Sequence, residues 1–348
     1  MIKINKKIIF SENKYPVIIA EISANHCGRK DLFLKHIKKA AESGADMVKI
    51  QTYEPQDMTL NSNKKILRIK KGIWKGQNFW NLYKKACTPF SWHEDAFSLA
   101  KKLNITLFST PFSERAVDFL EKFNVPIYKI ASFEITDYLL IEKIASTKKP
   151  VIISTGLANL REIKNAINII KKYHNKIIIL HCVSGYPTPE NEINISSILY
   201  LKNKLKTSLI GLSDHTNSIN SALAAVSYKV VAIEKHFKLS NKIKSEDSKF
   251  SITPQDLKKL KELSKKYYNY IGDPGKPITN SEKNSIQFRR SIFARRDIKQ
   301  GEEITKKNIV TLRPKIGIDA SKYLSILGKR AKKNIAKNNP IFINNLTS

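Results

Sequence analysis

Cysteine is nearly absent. The 348 residues include three, Cys27, Cys87 and Cys182, and no CxxC pair. That excludes a disulfide framework and a thiolate zinc site, and it suits a reducing compartment such as the cytoplasm. Long apolar runs are missing as well. None approaches the ~18 residues of a membrane span, and the opening MIKINKKIIF has neither the apolar core nor the small-residue cleavage site of a secretory leader. No membrane partner is expected. Glycine is sparse, at 12, and neither GxGxxG nor GxxxxGK[ST] occurs, which removes the two commonest glycine-rich phosphate cradles. Acidic residues are also few, 30 against 62 basic, for a formal net charge of +32. Nucleic-acid binding is the obvious reading of such a charge. Only ten of the cations are arginine, however, the residue that reads phosphates and bases through paired donors. The excess is lysine, spread in pairs such as Lys38-Lys39, Lys171-Lys172 and Lys258-Lys259 beside abundant Ile and Asn, the joint bias of an AT-rich coding sequence. No nucleic-acid partner is expected, and a basic polyanion-binding protein is the distant alternative. The positive field would still help to capture a small polyanionic substrate.

What is present is alternation. Short β-branched runs lie at 17–23, 46–51, 104–110, 126–132, 150–156, 176–182, 208–214 and 229–237. Amphipathic stretches such as LFLKHIKKAAESG and LREIKNAINIIKKYHN separate most of them. Strands apolar on both faces, each followed by a helix, pair in parallel under two helical layers. Eight such units predict an α/β fold, a (β/α)8 barrel, with an open doubly wound sheet as the alternative. Residues 52–92 are long for one strand-to-helix connection and read either as a lid or as a loop packed over the mouth. After residue 272 the texture changes. DPGKPIT opens a linker over 273–287, and RRSIFARRDIKQGEEIT reads as strand, turn and short strand in a small second domain, 288–348.

Barrel chemistry gathers at the C-terminal ends of the strands, and every such end here carries polar residues. Lys49 and Lys129 interrupt apolar strands. Either they snorkel outward past a helix, or they form a buried pair that, with hydroxyls at Thr110, Ser132, Ser154 and Ser213, would hold a phosphate and a carboxylate. His215 and His236 end neighbouring strands and suit a divalent transition ion, with a general base or core histidines as the alternative. His26 and His181 compete for that role, and His36, His93 and His174 are expected at the surface. Glu21 and Glu134 should stay ionised among cations, either as a base or substrate-orienting group or in salt bridges to the lysines.

The ordered strings IIAEISANH, GADMVKIQTY, STPFS, YKIASFE, ISTGLANL, ILHCVSGYPTP, GLSDHT and IEKHF resemble the sialic acid synthase family. RRSIFARRDIKQGEEIT followed by TLRP looks like its C-terminal antifreeze-like (SAF) domain. Within the family, AEISANH, ASFE and the insertion containing RIKKGIWKGQNFWNLY look closest to the pseudaminic acid branch, with neuraminate or legionaminate synthesis as the alternative. The resemblance implies a (β/α)8 TIM barrel, a SAF domain and a carbon–carbon bond-forming transferase. Phosphoenolpyruvate would condense with an acylamino-sugar aldehyde, for this branch 2,4-diacetamido-2,4,6-trideoxy-altropyranose, releasing phosphate. It also implies a divalent metal, Mn2+ before Mg2+ or Co2+, on His215 and His236. Phosphoenolpyruvate would be held by Lys49, Thr110, Lys129, Ser132, Ser154, Ser184 and Ser213, and the sugar by Gln51, Tyr186, Asp247 and Phe288. Arg313 would reach the sugar from the partner subunit of a domain-swapped homodimer. Glu134, Glu21, Lys49 and Lys129 would carry the catalysis. Ser184 replaces the neuraminate branch's Asn, Cys27 and Lys315 depart from the family pattern, and Asn338 replaces a turn glycine whose left-handed conformation Asn tolerates.

Overall fold

The computed structural model describes residues 1–273 and 275–347. The chain divides into two units, residues 1–272 and 273–348.

The first unit opens with a two-stranded hairpin, β1 (Ile2–Lys3) and β2 (Ile9–Phe10), followed by eight parallel strands. These are β3 (Val17–Glu21), β4 (Met47–Thr52), β5 (Thr106–Pro111), β6 (Tyr128–Ile130), β7 (Val151–Ser154), β8 (Ile177–Cys182), β9 (Ile210–Asp214) and β10 (Ala232–His236). They close in sequence order, with β10 pairing back onto β3. Each lies within one of the eight apolar runs or overlaps it, and the open-sheet alternative is excluded.

Period-two alternation explains why these strands are apolar throughout yet carry a polar site. Inward positions in the lower half, Ile19, Met47, Phe108, Ile152, Ile178 and Leu180, form a buried cluster that Ile2, Ile8 and Phe10 of the hairpin complete from below. Outward positions such as Ile18, Val48, Leu107, Ile153, Ile179 and Leu212 pack under the helices. Two residues further along the inward face the side chains become Glu21, Lys49, Thr110, Lys129, Ser154, Ser213 and Glu234. Gly211 is inward where β8 and β10 converge. A Cβ there would lie 2.5 Å from Leu180 Cδ2 and 2.6 Å from the Ala232 carbonyl oxygen.

The helices follow the usual signals. In Lys30–Glu42 the stripe Phe33, His36, Ile37 and Ala40 is buried. Leu160–Lys171 starts from a capping box in which Asn159 accepts from the amides of Arg161 and Glu162 while Glu162 caps the Asn159 N–H. Thr253 and Asp256 do the same for Pro254–Ile271.

The second unit has its own core, which includes Ile292, Ile304, Ile309, Ile318, Ile335 and Ile341. Strand β11 (Ser291–Ala294) is antiparallel to β12 (Ile309–Leu312). The short strand expected near 302–305 is a single bridge from Glu303 to Arg330 instead. Residues 273–287, expected as a linker, carry a short helix at Asn280–Lys283, capped by Thr279. Asn338 takes φ 67°, the left-handed conformation anticipated for it.

Candidate active site

Parity places both strand lysines inside the barrel, which excludes the snorkelling alternative. Lys49 Nζ lies 2.8 Å from Glu21 Oε2 and 3.0 Å from Glu234 Oε1. Lys129 Nζ lies 3.4 Å from the same Glu234 oxygen and donates to Ser154 Oγ at 2.6 Å. All four charged groups are buried. Burial pushes the Glu21 carboxyl up to about 7, with Lys49 pulling it back. Burial also raises Glu234, but Lys129 and Lys49 together outweigh it and hold that carboxylate well below the usual range. Glu234 therefore fixes both ammonium groups. Sequence reasoning did not select it, although its i, i+2 spacing from His236 on a strand puts the two on one face.

The hydroxyls expected around the lysines are gathered on the neighbouring strand ends. Ser213 Oγ donates to Glu234 at 3.3 Å, and Ser132 Oγ accepts the Gly156 N–H at 3.1 Å. Thr110 Oγ1 and Ser184 Oγ are buried with no partner. A methyl at position 156 would overlap Ser184 Oγ and press on Ser132 Oγ, so glycine keeps this corner open. Each unpaired buried hydroxyl is left with a donor to give, and an isolated buried polar atom costs roughly 1–3 kcal/mol.

The histidines lie on the adjoining wall. The His215 and His236 rings are 5.3 Å apart. His215 Nδ1 donates its N–H to the Val183 carbonyl at 2.9 Å. Burial lowers the ring's value but Cys182 more than offsets it, and Nε2 offers a lone pair when the ring is neutral. Burial, and then the nearby His215, push His236 far below the ordinary imidazole value, and its Nδ1 is buried without a hydrogen bond. Asp247 Oδ2 is 4.0 Å from that nitrogen. Asp247 also accepts from Ser23 Oγ and the Ala24 amide, and Gln51 Nε2 donates to Ser23 Oγ at 2.9 Å. Two imidazoles, an orphaned nitrogen and a nearby carboxylate fit a divalent ion. Among the described residues no three His, Cys, Asp or Glu side chains form a ready-made cage. Water or substrate would have to complete the coordination.

Glu134 differs from its expected state, and so does Glu21. Neighbouring cations do not keep either fully ionised. The Glu134 Oε2 atom is buried with no partner, and burial pushes this carboxyl to about 7. Neither lysine bonds to it, so the salt-bridge alternative applies to Glu21 alone.

Lys49, Lys129, Glu134, Glu234, Asp247, the two histidines and the hydroxyls of Ser132, Ser154 and Ser213 line one cavity of about 520 Å3, with Glu21, Thr110 and the Ser184 hydroxyl buried behind its wall. Its opposite wall is apolar and comes largely from residues 52–92. Ile69, Trp74, Phe79, Leu82 and Tyr83 face the cavity, whereas Trp80 does not. Trp74 Nε1 donates to the Glu246 carbonyl at 3.3 Å, fastening the insertion to the segment that carries Asp247. The Tyr186 ring packs, tilted by 40°, 4.4 Å from His215, and Phe250 lies 4.8 Å from His236. Glu234 was noted at its strand end without a role, whereas Phe250 was missed in the sequence. A 3-10 turn rather than a strand positions it, so no periodicity marks it.

The remaining candidates are placed elsewhere. Phe288 and Arg313 belong to the second unit, where both are exposed. His26 accepts the Gly28 N–H and packs edge-on against Phe33 and Trp92, and His181 bonds the Ile193 carbonyl. Both are core histidines. His36 and His93, expected at the surface, are fully buried. His36 lies on the apolar stripe of its helix and bonds the Leu32 carbonyl, and His93 bonds Thr52 Oγ1.

Residues 36–276 match the NeuB family and residues 289–347 match the SAF domain. The chain belongs to the NeuB family. A pseudaminic acid synthase of Campylobacter jejuni is 39% identical over 94% of this chain and 95% of its own length. An N,N'-diacetyllegionaminic acid synthase of the same species is also 39% identical, over 92% and 97%. The crystal structure of an N-acetylneuraminic acid synthetase from Leptospira borgpetersenii, in complex with citrate, superimposes with TM-score 0.71. It is 32% identical and covers 79% of this chain and 92% of that one. Sialic acid synthase relatives, a closed parallel barrel and a SAF domain agree with the resemblance carried by the motifs.

Proposed function

We propose that this NeuB-family chain condenses phosphoenolpyruvate with 2,4-diacetamido-2,4,6-trideoxy-altropyranose, giving pseudaminic acid and phosphate. The observation that carries the reading is the division of the cavity. Lys49 and Lys129 with the hydroxyls of Ser132, Ser154 and Ser213 line one side, suited to a phosphate and a carboxylate. An aromatic and aliphatic wall lines the other, suited to a sugar whose C6 is a methyl and whose two amides carry methyls. Identity alone does not separate this branch from the legionaminate one, at 39% in both cases. The apolar wall suits either deoxy sugar, and legionaminate synthesis is the second reading.

Lys49 and Lys129 would neutralise the anionic oxygens of the enol phosphate, with Glu234 holding both in place. His215 and His236 would hold a divalent metal, Mn2+ for preference, which supplies Lewis-acid polarisation of the sugar aldehyde. The enol methylene carbon forms the new carbon–carbon bond as the C=C electrons shift to it and the aldehyde C=O pair moves to oxygen. Water adds at C2, and one of its protons passes to Glu134 and on to the aldehyde oxygen, which becomes a hydroxyl. The bond from C2 to the phosphate oxygen then breaks, phosphate leaving with that electron pair and the second proton as C2 becomes the ketone. Glu21 would orient a substrate hydroxyl. The exposed Arg313 and Phe288 would contact the sugar in a homodimer that shares its sites, in the cytoplasm. The test is phosphate release with Mn2+ and either the altrose substrate, its legionaminate-branch counterpart or N-acetylmannosamine. Release with the altrose substrate alone, abolished by a chelator, is expected. Release only with one of the other sugars overturns the branch assignment.

A further inference from the structure

The ionic network inside the barrel is largely compensated from within, although Glu21 is only part-ionised near neutrality. Two ammonium groups, Lys49 and Lys129, face two carboxyls, Glu21 and Glu234, within 2.8 to 3.4 Å. Such a set binds an anion at short range once the anion displaces it, but it projects little net field into solvent. Most of the long-range attraction for an anionic substrate therefore comes from charges outside this network.

The insertion supplies such a charge. From residue 58 to residue 93 there is no Asp or Glu, while Lys64, Lys65, Arg68, Lys70, Lys71, Lys75, Lys84 and Lys85 contribute eight cations. All eight are exposed. Among the described residues none of them pairs with a carboxylate. The segment is also anchored at the mouth. Residues 68–78 fold back on themselves, with the Ile69 amide bonded to the Gln77 carbonyl and the Gly76 amide to the Ile69 carbonyl, both at 2.9 Å. Ile69 and Trp74 of this strap line the cavity, and their charged neighbours Arg68, Lys70, Lys71 and Lys75 remain in solvent. One short segment therefore presents apolar side chains to the cavity and uncompensated cations to the water outside it.

We propose that this strap is an electrostatic collector that draws a small anion bearing both phosphate and carboxylate to the barrel mouth. The inference rests on the functional reading above for the identity of that anion, phosphoenolpyruvate. The collector contacts no reacting atom. It raises the local concentration and capture rate of the anion, and its effect fades once the Debye length, about 10 Å at 0.1 M salt, falls below the distance to the mouth.

The test uses full-length protein with Lys64, Lys65, Lys70 and Lys71 changed together to Glu, and a second version with Gln. A control carries the same reversals at Lys171, Lys172, Lys258 and Lys259, which are exposed on outer helices. Phosphoenolpyruvate binding is followed by intrinsic tryptophan fluorescence, and turnover by phosphate release, at increasing ionic strength. At low salt the Glu strap variant should lose roughly tenfold in affinity and in kcat/KM for phosphoenolpyruvate. The Gln variant should lose less, and kcat and the KM of the neutral sugar should not change. The difference should close near 0.5 M salt, with the control staying within about twofold of wild type. Equal losses in strap and control variants overturn the proposal, because the net charge of the molecule would then be responsible. So does an unchanged salt slope in the strap variants. Wild type that binds no phosphoenolpyruvate overturns both this inference and the function. Strap-dependent binding without turnover on any sugar overturns the function alone and leaves the collector standing.

Discussion

Glu134 shows what one carboxyl costs in this barrel. Its folded value of about 7 against an ordinary 4.5 means that the native state binds more protons than the unfolded chain between those two pH values. Stability from this group is complete below pH 4.5 and is lost as pH rises through 7, a penalty on the order of 1–3 kcal/mol in alkaline buffer. Glu134→Gln should therefore raise the melting temperature at pH 8 and leave it near wild type at pH 4.5. As the proposed base for water addition, Glu134 also predicts that kcat/KM rises with pH to a limb near 7 and that the Gln variant loses at least a hundredfold in turnover. A Gln variant with wild-type turnover would remove Glu134 from the mechanism. Lys49, Lys129 and Glu21 were legible in the sequence because a charged residue near the end of an otherwise apolar strand is conspicuous. Glu234 was not. Its importance comes from two lysines 185 and 105 residues away in the chain, and no local pattern encodes that meeting.

At the scale of elements, strand parity is the main organising fact. Inward residues run from apolar at the bottom to polar at the top, so a one-residue slip in any strand would turn its site residue into the helix layer. Gly211 helps to hold that geometry where β9 passes between Leu180 and Ala232. Gly211→Ala is expected to cost about 1–3 kcal/mol through overpacking, because the Ala232 carbonyl belongs to a hydrogen-bonded strand and cannot move freely. Calorimetry should show the lower melting temperature, while activity per folded molecule at low temperature should change little. A melting temperature equal to wild type would mean that the barrel relaxes more easily than its packing indicates. The insertion at 52–92 is the element whose role the sequence left open between lid and packed loop. It lines the cavity, because Ile69 and Trp74 turn inward, and only the folded strap decides which of its apolar residues do so.

For the whole molecule, two units are present, and the proposed sugar contacts Phe288 and Arg313 lie on the second. If the dimer shares its sites as proposed, an Arg313→Ala protomer and a Glu134→Gln protomer, each inactive alone, should complement when co-expressed. Random pairing would restore about a quarter of wild-type activity, since half of the dimers would be mixed with one intact site each. No recovery in isolated mixed dimers would mean that Arg313 serves its own subunit or no site at all.

The sequence by itself determined the eight strands, their parallel order, the small C-terminal domain and the family. Each rests on local periodicity or on a contiguous motif, and the chain carries those directly. Tertiary structure alone decided which carboxyl pairs with which lysine, that burial lifts Glu134 to about 7, that His36 and His93 are buried, and which apolar residues of the insertion face the cavity. All of these depend on burial and on distances between residues far apart in the chain. Those quantities exist only once the barrel has closed.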